Sequence, residues 1–93
     1  MNAADTASTH PRRHPDTAFR KIGDEGGLVV LPGRAEVKVL NPVGIAIFSQ
    51  LDGSKDIETL AAAVAEEFDV ELASAREDVM KFLEDLKQDG MLA

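Results

Sequence analysis

Glu36-Val37-Lys38-Val39-Leu40-Asn41-Pro42-Val43-Gly44 is the stretch on which the fold turns, because the period of its apolar residues changes inside it. Val37 and Val39 alternate with Glu36 and Lys38, the two-residue repeat of a strand. Asn41 then suits a helix N-cap, and Pro42 the first helical position, where a missing N–H costs nothing. Working back, Ala18–Ile22 and Leu28–Leu31 are apolar runs joined by Gly23-Asp24-Glu25-Gly26-Gly27, which reads as a hairpin. Pro32-Gly33-Arg34 turns the chain into the third strand. Working forward, a first helix places Gly44, Ile47, Phe48 and Leu51 on one face, and Asp52-Gly53 ends it. A second helix capped by Asp56 carries Ile57, Leu60, Ala61, Val64 and Phe68. A third runs from near Leu72 to Gly90 with Leu72, Ala75, Val79, Phe82 and Leu86 inward, and Met91 and Leu92 fold back on the core. The order β-β-β-α-α-α, with the first two helices spaced as a helix-turn-helix pair, predicts an α+β fold: a small winged helix-turn-helix with a three-stranded antiparallel sheet followed by three helices.

The 93 residues suffice for one domain, which at this length buries roughly 60–65% of its unfolded surface. Without cysteine there is no disulfide framework, thiol nucleophile or Cys-based metal site. Residues 1–15 hold two prolines and little that is large and apolar, and are expected to form a flexible N-terminal arm ahead of a domain at 16–93. His10 and His14 lie in that arm without ligand-spaced partners, so they are expected to bind no metal. No secretory or membrane-spanning run is present, and a cytoplasmic protein without membrane association is expected.

The net charge of −7 is uneven, at +1 over residues 1–40 and −8 over 41–93. Clustered Lys and Arg, which phosphate binding needs, are missing. The second helix offers Glu58, Glu66 and Glu67 and no basic residue, so the alternative of a winged-helix DNA-binding regulator has topology in its favour and charge against it. Catalysis is not expected either: no histidine lies in the folded part, the carboxylate pairs fall on outward helical faces, and no glycine-rich loop precedes a helix. Ser54 lacks the Asp-Ser-Leu setting of a phosphopantetheine carrier. No cofactor is expected.

Placed at about 100° per residue, Met80, Leu83 and Lys87 of the last helix fall within about 40° of Arg76, while Asp78 and Asp85 point almost the opposite way. This basic and apolar strip beside the core stripe reads either as a groove wall or as a widened core edge with snorkelling cations. The third strand has an unpaired outer edge, to which a peptide could add as a fourth strand. The same edge suits pairing with its own copy across a two-fold axis.

Several segments together resemble the PqqD family: His14-Pro15-Asp16-x-Ala18-Phe19-Arg20, Gly26-Gly27-Leu28-Val29-Val30-Leu31, Leu40-Asn41-x-x-Gly44, Leu51-Asp52-Gly53-Ser54, Asp78-Val79-x-x-Phe82-Leu83-x-x-Leu86 and Gly90-Met91-Leu92. The resemblance implies a RiPP recognition element. Such a domain is a non-catalytic peptide chaperone that binds the leader of a ribosomally made precursor and presents it to a modifying enzyme of radical S-adenosylmethionine type, as in pyrroloquinoline quinone biosynthesis. It further implies an antiparallel strand added to the third strand beside the last helix. Carried onto this sequence, the peptide-binding residues are Arg34, Glu36, Val37, Lys38, Val39 and Leu40 on the strand side, and Arg76, Val79, Met80, Leu83 and Lys87 on the helix side. The basic residues of that wall imply a leader containing Glu or Asp.

Overall fold

The computed structural model describes residues 10–31, 33 and 36–93. Three strands, β1 (Ala18–Lys21), β2 (Gly27–Val30) and β3 (Val37–Leu40), form one antiparallel sheet in the order β1-β2-β3. Three helices follow: α1 (Pro42–Ser49), α2 (Ile57–Phe68) and α3 (Leu72–Gln88). The strand-to-helix switch falls where the sequence places it. Asn41 is the extended N-cap whose side chain accepts from the Gly44 N–H at 2.7 Å, and Pro42 opens the helix. Asp56 caps α2 through the Thr59 N–H in the same way.

Five consecutive residues of α1, Gly44 to Phe48, are buried, so this helix is surrounded and forms the centre of the fold. On one side lies the inner face of the sheet, where Val29 is fully buried and the Phe19 ring meets the Phe48 ring edge-on at 5.5 Å. Gly27 allows that approach, since a Cβ there would meet the Ile45 side chain at 2.7 Å. On the other side, Leu60, Ala61 and Val64 of α2 and Ala75, Val79, Leu83 and Leu86 of α3 complete one core with Leu51 and Met91. Met91 folds back as the sequence predicts, whereas Leu72, expected inward, stays half-exposed in the first turn of α3.

Two differences from the sequence reading concern the N-terminal segment and the end of α1. The segment 11–14, expected within a flexible arm, is hydrogen-bonded into the body. Arg13 N–H donates to the Leu51 carbonyl at 2.8 Å and His14 N–H to that of Met91 at 2.9 Å, while Gly53 and Ala93 N–H donate back to the Pro11 and Arg12 carbonyls at 3.1 and 2.9 Å. The rest of the expected arm, residues 1–9, lies outside the described residues. The helix α1 stops at Ser49, short of Leu51, and its last carbonyls explain how. Arg13 donates from Nη1 to the carbonyls of Phe48 and Ser49, both at 3.0 Å, with its guanidinium 5.0 Å from the Phe19 ring centre and 5.9 Å from that of Phe48. A cation at a helix C-terminus satisfies orphan carbonyls and favours the dipole, and stacking on two rings adds to it. Arg13→Ala is therefore expected to lower unfolding free energy by about 1–3 kcal/mol in urea denaturation, with Arg13→Lys recovering only part. A loss indistinguishable from zero would make the segment ornamental.

Beyond α1, the Asp52 carboxylate accepts from the Ser54 Oγ at 2.6 Å and the Ser54 N–H at 2.9 Å. These bonds, the side-chain one foremost, hold its pKa down from 3.8 to about 2. Because the folded value is depressed, the bonds contribute fully above the ordinary carboxylate value and are lost as pH falls through about 2. A carboxyl-carbon NMR titration should show the Asp52 midpoint near 2, moving towards 3.8 in Ser54→Ala; a wild-type midpoint near 3.8 would contradict the turn.

Candidate groove beside strand 3

The strand β3 is the sheet edge, and its hydrogen-bond parity decides what that edge offers. Leu31 N–H donates to the Glu36 carbonyl at 3.2 Å. The register places Val30 opposite Val37, Val29 opposite Lys38, Leu28 opposite Val39 and Gly27 opposite Leu40. Antiparallel ladders alternate bonded and non-bonded pairs, so Glu36, Lys38 and Leu40 turn their backbone groups to β2, while Val37 and Val39 turn theirs outward. No described strand lies beyond β3. The open edge therefore presents two N–H donors and two C=O acceptors, on Val37 and Val39.

The side chains of the same two valines project to the outer face, where they are 56% and 75% exposed. The inner-facing set is Lys38 and Leu40. Leu40 is buried, and Lys38 reaches the far end of α3, its Nζ lying 2.6 Å from Asp89 Oδ2. At the other end of the strand, Gly44 follows β3 so closely that a Cβ on it would stand 3.4 Å from the Leu40 Cβ and 3.3 Å from the Phe82 ring. Phe82 thus sits by Leu40, and Asp89, seven residues on, by Lys38; α3 runs antiparallel beside β3. A cleft of about 270 Å³ opens at Asn41 between the two helices, with Val43, Gly44 and Ile47 on the α1 side and Asp78, Lys81, Phe82 and Asp85 on the α3 side.

This arrangement brings Lys38 to Asp89 and Leu40 to Phe82, a different flank of the last helix from the one expected. Val79 and Leu83 are core residues. Arg76 forms a bidentate pair with Glu58 of α2, at 2.6 and 2.8 Å, which raises its own pKa and lowers that of Glu58 through the hydrogen bonds between them. The Arg76 flank consequently faces α2, about 120° around the helix from Phe82. Met80 and Lys87 share that flank and are exposed. The core stripe has two borders, and helical periodicity alone does not say which of them meets the sheet. Arg34 lies outside the described residues, and Glu36 contributes its carbonyl to the β2 ladder.

Asp78, Lys81, Phe82 and Asp85 were missing from the site drawn from the sequence. Phe82 was read as plain core, and the signal that could have corrected this was Gly44, a glycine inside a helix where a neighbouring ring needs the space.

Relatives share this architecture. TbiB1, solved in complex with the TbiA(beta) leader peptide, superposes with a TM-score of 0.75 at 22% identity, covering 87% of this chain and 93% of that one. The PqqD truncation of Methylobacterium extorquens PqqCD, described as a stand-alone RiPP recognition element, gives a TM-score of 0.73 at 20% identity, covering 89% of this chain and 87% of that one. Lasso peptide synthetase B1, complexed with a leader peptide, gives 0.73 at 26% identity, covering 90% and 98%. In sequence, the chain is 32% identical over 66 residues to a PqqA binding protein of Rhizobium meliloti (strain 1021), covering 71% of this chain and 67% of that protein. The family model of coenzyme PQQ synthesis protein D (PqqD) matches residues 27–92, which takes in β2, the open edge of β3 and all three helices, and the chain belongs to the PqqD family.

Proposed function

We propose that this protein is a non-catalytic peptide chaperone, a RiPP recognition element that holds the leader of a ribosomally made precursor and presents it to a modifying enzyme of radical S-adenosylmethionine type. The observation that carries the reading is the β3 edge, whose outward N–H and C=O groups on Val37 and Val39 lie beside a cleft between α1 and α3. An open edge of this kind invites aggregation unless it is protected, and a natural ligand that completes the sheet is one reason for leaving it open. The solved relatives that hold leader peptides support the assignment, as does the relative described as PqqA-binding. The proposed place of action is the cytoplasm, where a precursor leaving the ribosome is first met. The bound strand lies antiparallel to β3, between Val37–Leu40 and the Phe82, Asp85 and Asp89 flank of α3.

Amide-shift mapping of the labelled chain with a PqqA leader peptide, and separately with duplex DNA at low salt, tests this. Shifts confined to 37–41 and 78–89 with peptide, and none with DNA, are expected. Shifts on the exposed face of α2 with DNA would replace the chaperone by a DNA-binding regulator. In the same titration, Arg76→Glu should leave peptide affinity unchanged, because its guanidinium belongs to the α2 flank; weakened binding would return Arg76 to the site.

A further inference from the structure

Resting on the strand-addition reading above, the charges around the groove say something about the leader itself. A strand added antiparallel to β3 starts near Leu40 and ends near Val37, so its N-terminal half passes the cleft at Asn41 and its C-terminal half passes Lys38. At the Lys38 end the ammonium is already matched by Asp89 at 2.6 Å. At the cleft end the acids are unmatched among the described residues. Asp78 and Asp85 line it, and neither has an ion-pair partner among the described residues. Lys81 also lines the cleft, but it is exposed and lies about 100° around α3 from Phe82, with both aspartates between them. The floor is apolar, with Phe82 half-buried against Val43 and Ile47.

An apolar floor with an aromatic face, edged by two carboxylates unpaired among the described residues on a chain of net charge −7, complements a long cationic side chain: its methylenes lie on Phe82 and its head reaches Asp78 and Asp85. An acidic residue there would meet like charge. We infer that the leader this protein takes carries a lysine or arginine in the N-terminal half of its bound strand, on the face that packs against α3, and that Asp78 and Asp85 select it. The acidic leader expected from Arg76 and Lys87 is the opposite preference, and those two cations stand on the wrong flank of α3 to express it.

Display of random short peptides against the immobilised full chain tests this without knowledge of the natural leader. Peptides that shift the amides of Val37–Leu40 should be enriched in Lys or Arg near their N-terminal half. Replacing that residue by Glu in an enriched peptide should weaken binding by about tenfold. The Asp78→Asn, Asp85→Asn double variant, both positions being exposed, should keep its melting temperature, bind the Lys- or Arg-bearing peptides more weakly and lose most of that discrimination. Enriched peptides that shift β3 but carry Glu, Asp or no charge there would overturn the inference and leave strand addition standing, as would a double variant that still prefers Lys over Glu. Enrichment of peptides that never shift β3 would overturn strand addition itself.

Discussion

In Val39→Pro, leader binding should weaken by at least about tenfold while the domain stays folded. The parity of the β2–β3 ladder turns the Val39 N–H away from β2, so proline there removes no bond of the native sheet. Proline is tolerated on an edge strand when its missing N–H faces outward. An added strand, by contrast, loses a donor and leaves one of its own carbonyls unsatisfied, a cost of about 1–3 kcal/mol. Lys38→Pro is the contrasting variant, since its N–H belongs to the ladder with Val29, and it should destabilise the sheet itself. The pair is read by leader titration together with thermal melting. Full affinity in Val39→Pro would mean that peptide does not pair with this edge.

Phe48→Ala is expected to lower unfolding free energy by about 3–5 kcal/mol, the largest effect of any single truncation here. The ring is fully buried at the centre of the fold, packed edge-on against Phe19 and approached by the Arg13 guanidinium, so three separate segments lose a surface at once. A domain of this size is typically stable by about 5–15 kcal/mol, so the variant should be partly unfolded at physiological temperature at the lower end of that range. Urea denaturation followed by circular dichroism measures the loss. Phe48→Leu, which keeps most of the volume, should cost less than half as much. A loss below about 1.5 kcal/mol for Phe48→Ala would show that the sheet and the helices do not share one core.

Much of this was legible from short-range rules. A switch from alternation to helical period at Leu40-Asn41-Pro42 places the last strand and the first helix, because an N-cap and a first-turn proline act on their own neighbours. The stripes of α2 and α3 name six of the seven core residues those two helices supply, for the same reason. Arg13 was illegible: its partners are the Phe48 and Ser49 carbonyls, 35 and 36 residues away, and a basic residue between two prolines carries no mark of that contact.

Element order, the caps, the core-facing stripes and the open third strand are legible in the chain alone, because interactions within a few residues set them. Which border of the α3 stripe faces β3 is a matter of long-range packing, since it depends on how α2 and α3 sit against the central α1. The Arg76–Glu58 pair binds one border to α2, leaving Asp78, Phe82 and Asp85 for the groove. That single choice turns a basic wall into an acidic one, and with it the charge expected of the leader.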